Sequence, residues 1–235
     1  MCGRYKISTK APQIMAAFGV DDGSYEPPAR FNVAPTDPVP CVRVDDDGKR
    51  KLVPLRWGFL PFWAKSAKEG ARMINARVEG LRAKPWFKEA LDKRRCLVVS
   101  DGFYEWLGEK KAKQPYLVCF EDRHVFAYAG LWARWHAPDQ SGSVVESCTI
   151  ITTPPNAVAS KVHDRMPLIL DPATDRALID AWLDPARTID LADYKKPREL
   201  AGLTLFAVDK RVGNVKYDEP TLAEPVLAQP TLLPT

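Results

Sequence analysis

An α+β domain wrapped round a curved, largely antiparallel sheet or open barrel is the architecture the sequence predicts, and three observations predict it. Short extended runs recur along the chain, helical patterns are few and irregularly placed, and neither β–α–β alternation nor an internal repeat is present. The 235 residues carry 46% hydrophobic and 27% charged side chains, the balance of a chain that buries one core. No linker divides residues 1–219, which read as a single domain. Residues 220–235, with Pro220, Pro225, Pro230 and Pro234, read as a mobile tail.

The elements follow in order. Residues 9–19 form a short helix, with Ile14, Met15 and Phe18 on one face and Gly19 as its stop. Residues 38–44 and 50–57 flank Asp45-Asp46-Asp47-Gly48, a hairpin signal. A second helix pattern occupies 85–95 after Pro85. Extended runs follow at 96–100, 102–106, 115–120, 124–132 and 144–152, the later ones separated by Glu121-Asp122-Arg123 and by residues 137–142. Further short strands are expected at 166–170 and 203–208. Residues 172–183 are the clearest amphipathic helix, with Asp171 as its N-cap.

Charge and cysteine usage narrow the function. A net charge of +4 suits a polyanionic partner without requiring one. The five cysteines are odd in number and no pair has metal-ligand spacing. Cys41, Cys96, Cys119 and Cys148 sit in apolar runs and read as small buried hydrophobes of a reduced, intracellular protein. The three histidines make no metal motif with them, so neither metal nor cofactor is expected. There is no apolar leader, and no run approaches the roughly 20 residues of a membrane span. The expectation is a cytoplasmic protein with no membrane partner.

The fifth cysteine is different. It follows Met1, and a small second residue permits removal of the initiator methionine. The chain would then begin with Cys2, whose α-amine and thiol sit on adjacent carbons. The amine can condense with an aldehyde to an imine, and the thiol can close a five-membered thiazolidine. Alternatively the amine can act as base for the thiol. Taken alone, Cys2 reads as readily as an accident of a terminus.

Other segments carry polar residues on apolar flanks. In Ile74-Asn75-Ala76-Arg77-Val78-Glu79, spacing alone favours a helix start with a solvated arginine. An extended segment would put Asn75 and Arg77 on one side, an amide beside a phosphate clamp. In Asp101-Gly102-Phe103-Tyr104-Glu105-Trp106, the glutamate lies between aromatics. It is either a desolvated general acid or a residue on the solvent face of a strand. His163-Asp164-Arg165 precedes an apolar strand and makes His163 a better proton carrier than His124 or His136. Trp57, Phe59, Phe62 and Trp63 crowd a Gly/Pro segment beside Arg56, which suits core packing or stacking on unpaired bases.

Together these segments resemble the SOS-response-associated peptidase (SRAP) family of abasic-site processing proteins. The matching pieces are MCGRY at 1–5, FNVAP at 31–35, WGFLPFWA at 57–64, INARVE at 74–79, DGFYEW at 101–106, HDRMP at 163–167 and VGNVK at 212–216, in family order along nearly the whole chain. The resemblance implies a protein, monomeric, that binds single-stranded DNA containing abasic sites, including at single-strand/double-strand junctions. It would attach covalently through Cys2 as a thiazolidine that shields the lesion, and associate with the nucleoid when bound. Carried over by position, Cys2 is the nucleophile and Asn75 holds the opened sugar or the Cys2 terminus. Glu105 and His163 move protons in ring opening, imine formation and reversal. Arg4, Arg77 and Arg165 hold phosphates, Trp63 caps a base, and Asn32 and Thr152 line the pocket. Ala64 stands where some relatives carry a second aromatic, which weakens the expected wedge. The family's older name implies proteolysis, readable as removal of residues ahead of Cys2, and a lyase activity is compatible with the same groups.

Three other functions compete. A Met-Cys-Gly start also opens class II glutamine amidotransferases, N-terminal-nucleophile amidohydrolases whose later motifs are missing here. A thiol peptidase could pair Cys2 with His163. A non-enzymatic single-strand-binding module would be indifferent to Cys2.

Overall fold

The structure is a computed structural model that describes residues 2–21, 23–109, 113–139 and 142–227. The strands are β1 (Tyr5–Ile7), β2 (Arg30–Val33), β3 (Pro38–Val44), β4 (Arg50–Trp57), β5 (Asn75–Arg77), β6 (Arg95–Ser100), β7 (Gly102–Leu107), β8 (Gln114–Phe120), β9 (Phe126–His136), β10 (Val144–Thr153), β11 (Met166–Pro167), β12 (Ile169–Leu170) and β13 (Leu203–Ala207). The α-helices are α1 (Ala11–Phe18), α2 (Pro85–Lys93) and α3 (Arg176–Leu183). No helix among the described residues is long and apolar enough to cross a membrane.

The expected curved sheet is present, and it closes. β4, β3, β6, β9 and β10 pair in that order, each with the next in antiparallel fashion. β10 then returns to β4 in parallel, with Ser147 opposite Arg56 and Cys148 opposite Trp57, which completes a five-stranded ring. A second sheet runs β13-β8-β7-β1-β2, so β1 is an interior strand.

Local chemistry sets the elements. Asp45 Oδ1 accepts from Asp47 N (3.0 Å) and Lys49 N (2.9 Å), which tightens the β3–β4 turn. Gly19 ends α1 in the left-handed conformation, φ 62°. Every residue of β6 is buried, because the barrel interior lies on one face and helices on the other. Trp182 of α3 donates its indole N–H to Cys96 O at 2.9 Å. Arg95 gathers the carbonyls at the ends of α2 and α3: Leu91 (2.5 Å), Asp92 (3.3 Å), Trp182 (2.6 Å), Asp184 and Arg187 (3.0 Å). All but Arg187 lie in the last turns or at the cap of the two helices, among the groups a helix C-terminus leaves without intrahelical donors.

Three expectations are corrected. Helix α3 begins at Arg176 with Asp175 at its N-cap, not after Asp171. Asp171 sits one turn earlier, its Oδ1 accepting from Ala173 N (2.9 Å) and its carbonyl from Asp175 N (2.7 Å). The strand expected at 124–132 continues to His136, because β10 pairs with it as far as Val144. The segment after Pro220 is docked through Val226. Residues Pro220–Ala223 form a 3-10 turn, Leu222 is fully buried against Tyr104, Leu117, Val208 and Val212, and Val226 N donates to Ala207 O at 2.9 Å. An apolar side chain at 222 outweighs the prolines around it. Pro230 and Pro234 of the expected tail lie outside the described residues, as does part of the 137–142 turn.

Candidate functional site

The site begins with β1. Asp101 fixes the far end of that strand: Oδ1 takes Lys6 Nζ at 2.5 Å, and Oδ2 takes Ser8 N (2.8 Å), Ser8 Oγ (2.9 Å), Thr9 N (3.1 Å) and Thr9 Oγ1 (3.0 Å). The near end is held by Tyr104 N on Arg4 O at 3.0 Å. Beneath lie Tyr5, Trp57 and Tyr128, with Tyr5 edge-on to both rings at 5.2 and 5.8 Å. Cys2 is thereby held with 0% exposure, and Asn75 Nδ2 donates to its carbonyl at 2.8 Å. Met1 lies outside the described residues.

Asn75 reaches Cys2 because its segment is extended, not helical. β5 runs parallel to β10, with Asn75 opposite Ile150 and Arg77 opposite Thr152. The carbonyl of Ile74 takes both Trp57 Nε1 and Ile150 N at 3.0 Å, which sets the start of the strand. Asn75 and Arg77 therefore share a side, and Arg77 is exposed.

Electrostatics distinguish the two expected proton carriers. Glu105 is 4% exposed, and burial pushes its carboxyl above the usual range. The Cys2 thiol is raised by burial first and by the Glu105 carboxylate second. His163 is lowered, chiefly by burial. Arg165 N donates to His163 Nδ1 at 3.0 Å when that nitrogen is bare. Asp164 Oδ1 lies 2.7 Å from the same nitrogen and becomes its ion-pair partner only on protonation.

The remaining expected residues divide. Thr152 is fully buried, and its carbonyl takes Arg165 Nη2 at 2.6 Å. Arg165 is also bidentate with Glu79, at 2.6 and 3.0 Å, so this phosphate candidate already holds a carboxylate. Arg4 is half-buried and reaches Val212 O at 3.5 Å. Asn32 is buried: its Nδ2 donates to Asn214 O (3.1 Å) and Tyr217 O (2.8 Å), bracing the segment that carries Val212, and its Oδ1 has no partner among the described residues. Trp63 is 42% exposed and meets Trp86 edge-on at 5.4 Å. Ala64 is 2% exposed, packed with Leu60 and Trp135, and leaves no outward place for an aromatic ring. The exposed ring beside Trp63 is Phe62, at 76%.

Sequence reasoning missed Asp101 as the anchor of β1, Trp86 as the neighbour of Trp63, and Asp218. Asp218 accepts from Phe31 N (2.5 Å), Asn32 N (3.0 Å) and Arg30 Nε. Only Asp101 gave a signal, as a carboxylate followed by glycine between two apolar strands.

A closed barrel that buries Cys2, with Asn75 on its carbonyl and the desolvated carboxyl of Glu105 within electrostatic reach of its thiol, defines a class: a β-rich scaffold built round a cysteine near its amino terminus. The profile of the SOS response associated peptidase (SRAP) family matches residues 1–215, and the chain belongs to that family. It is 36% identical to "Abasic site processing protein YoqW" of Bacillus subtilis (strain 168), over 95% of this chain and 99% of that one. It is 30% identical to "Abasic site processing protein HMCES" of Gallus gallus, over 96% and 78%. A crystal structure of a Bacteroides thetaiotaomicron protein superimposes with a TM-score of 0.82 at 27% identity, covering 96% of this chain and all of that one.

Proposed function

We propose that this protein processes abasic sites in single-stranded DNA by capturing the opened sugar as a thiazolidine on Cys2, once Met1 has been removed. The observation that carries the reading is Cys2 itself: a buried second residue, its carbonyl tied to Asn75, with the raised carboxyl of Glu105 close enough to raise the thiol. The names of the relatives support the substrate.

A protonated Glu105 suits protonation of the ring oxygen that releases the aldehyde. The Cys2 amine then adds to the aldehyde carbon, and the carbinolamine loses water to give an imine. The thiol adds to the imine carbon, its proton passes to nitrogen, and the ring is closed with one water released overall. A raised thiol favours this order, with the amine first and sulfur second. The neutral His163 can take and return the proton shed by the amine. Arg4 and Arg77 hold phosphates, Trp63 and Phe62 stack on bases at the edge of the site, and the protein works as a monomer.

Mixing processed protein with a single strand bearing one abasic site should give an adduct that survives denaturation, and intact DNA of the same sequence should give none. Cys2→Ser should lower the yield of heat-stable adduct by about a hundredfold or more, because an oxygen ring opens readily and only the imine remains. An equally heat-stable adduct from that variant overturns the thiazolidine. Glutamine hydrolysis with no adduct would place the chain's chemistry with the amidohydrolases.

A further inference from the structure

The row of residues that crosses the second sheet at Glu105 holds a side chain that neither the fold nor the mechanism uses. β7 lies between β1 and β8, and β8 lies between β7 and β13. Glu105 is directly opposite Tyr116, and Tyr116 is directly opposite Ala207. Directly opposed residues of antiparallel strands share a face, with Cβ atoms about 5 Å apart. Two residues further along that face, Phe103 and Val118 are opposed and fully buried, as is Tyr5 opposite Phe103. In the row itself Glu105 is 4% exposed and Ala207 5%. Tyr116, between them, is only half-buried. Its backbone is paired on both sides, so the surface it leaves open is that of its side chain.

A cation stands beside the same row. Lys113, exposed just ahead of β8, acts electrostatically on both the Glu105 carboxyl and the His163 imidazole, although burial is the larger influence on each. Asp164 acts on the same two groups with the opposite sign, and its Oδ1 lies 2.7 Å from His163 Nδ1. Gln114, the next residue after Lys113, is spent on the fold: its Nε2 donates to Pro115 O (3.0 Å) and Val208 O (2.7 Å). That fixes the backbone from which Lys113 and Tyr116 project. On the other side of Glu105 lies the segment that carries Cys2, held to β7 by Tyr104 N on Arg4 O. Glu105 therefore stands between Cys2 on one side and an open aromatic ring with a cation on the other.

We propose that Tyr116 and Lys113 form a subsite for the nucleotide next to the captured sugar, the ring stacking on its base and the ammonium holding its phosphate. This rests on the reading that Cys2 captures an abasic single strand. A sugar held at Cys2 and Glu105 has no base of its own, so the adjoining nucleotide supplies the nearest π-face. Cross-strand spacing sets Tyr116 close enough to Glu105 for that nucleotide, and not a remote one, to meet it. A tyrosine ring stacks on any base, so the subsite adds affinity without sequence preference.

The test uses full-length processed protein and single strands with one abasic site, in which either neighbouring nucleotide is replaced by an unreactive tetrahydrofuran spacer. Wild type should lose about fivefold or more in affinity for the spacer on one side and little for the spacer on the other. Tyr116→Ala should bind the strand with both neighbouring bases about fivefold or more weakly than wild type, and should be indifferent to either spacer. Tyr116→Phe keeps the ring and should behave as wild type. Lys113→Gln should lower the salt slope by about 0.7 and keep the wild-type response to the spacers. Wild-type affinity in a folded Tyr116→Ala, or a spacer response that survives in it, overturns the base contact, as does a wild type indifferent to both spacers. An unchanged slope in Lys113→Gln overturns the phosphate contact. Should Tyr116→Ala not fold, Tyr116→Leu fills the volume without a π-face, and wild-type behaviour in it overturns the subsite instead. Failure of wild type to bind or react with abasic DNA overturns the reading of the pocket, and is distinct from any of these results.

Discussion

Arg95 and Arg56 are both drawn into the protein, and they end in opposite states. The first spends its guanidinium on five backbone carbonyls that close two helices. The second keeps a buried nitrogen with no acceptor among the described residues. Burial lowers the pKa of both, although Arg95 is buried and Arg56 only partly so. They differ further in whether the fold supplies acceptors. By that measure Arg95 belongs to the architecture, whereas Arg56 takes no such place in it. Arg165 stands between, bidentate to Glu79 on a half-exposed edge where an incoming anion can compete.

The comparison can be broken most severely at Arg95. Arg95→Ala should destabilise the fold by about 3–5 kcal/mol, since it strands several buried carbonyls at once. Urea unfolding measures this, and the fraction that remains folded should react with abasic DNA at the wild-type rate. Arg77→Ala should leave the urea midpoint unchanged, weaken binding to all single strands by roughly five- to tenfold, and lower the salt slope by about one. Glu79→Ala sharpens the contrast in the other direction: with Arg165 released, binding should tighten by about two- to threefold.

Glu105 gives the smallest effect on stability and the one with a pH signature. Its carboxyl is raised in the folded state, so its contribution is fully present below the unfolded value of about 4.3 and is lost as pH rises through the folded value. Glu105→Gln should therefore melt with wild type near pH 4 and above it at pH 8, while forming and reversing the adduct more slowly. Melting curves that differ from wild type by the same amount at every pH would assign Glu105 a packing role only.

Much of the fold was legible because its cues are local. The Asp45–Gly48 hairpin, the Gly19 stop and the apolar runs of β6 and β10 each announce themselves within a few residues. Barrel closure does not, since it depends on Ser147 and Cys148 meeting Arg56 and Trp57, a parallel pairing between residues 91 apart in the chain. The docking of Leu222 was hidden in the same way, behind prolines that suggest an open tail. In the site, Cys2, Asn75 and Glu105 came from short segments whose chemistry is visible in sequence, and the structure draws them together. Arg165 and Asn32 were read without their partners, Glu79 and the Asn214–Tyr217 carbonyls, because nothing near either residue in the chain points to them.

The position of β1 has a mechanical consequence. It lies between β7 and β2, with Asp101 gripping its far end, and it carries Cys2 at its near end. A DNA strand joined to Cys2 in the proposed way would load β1 along its own axis. Hydrogen bonds to the neighbouring strands run across that axis, so they would be sheared together and not unzipped singly. Tension on the DNA would then be met by the sheet as a whole.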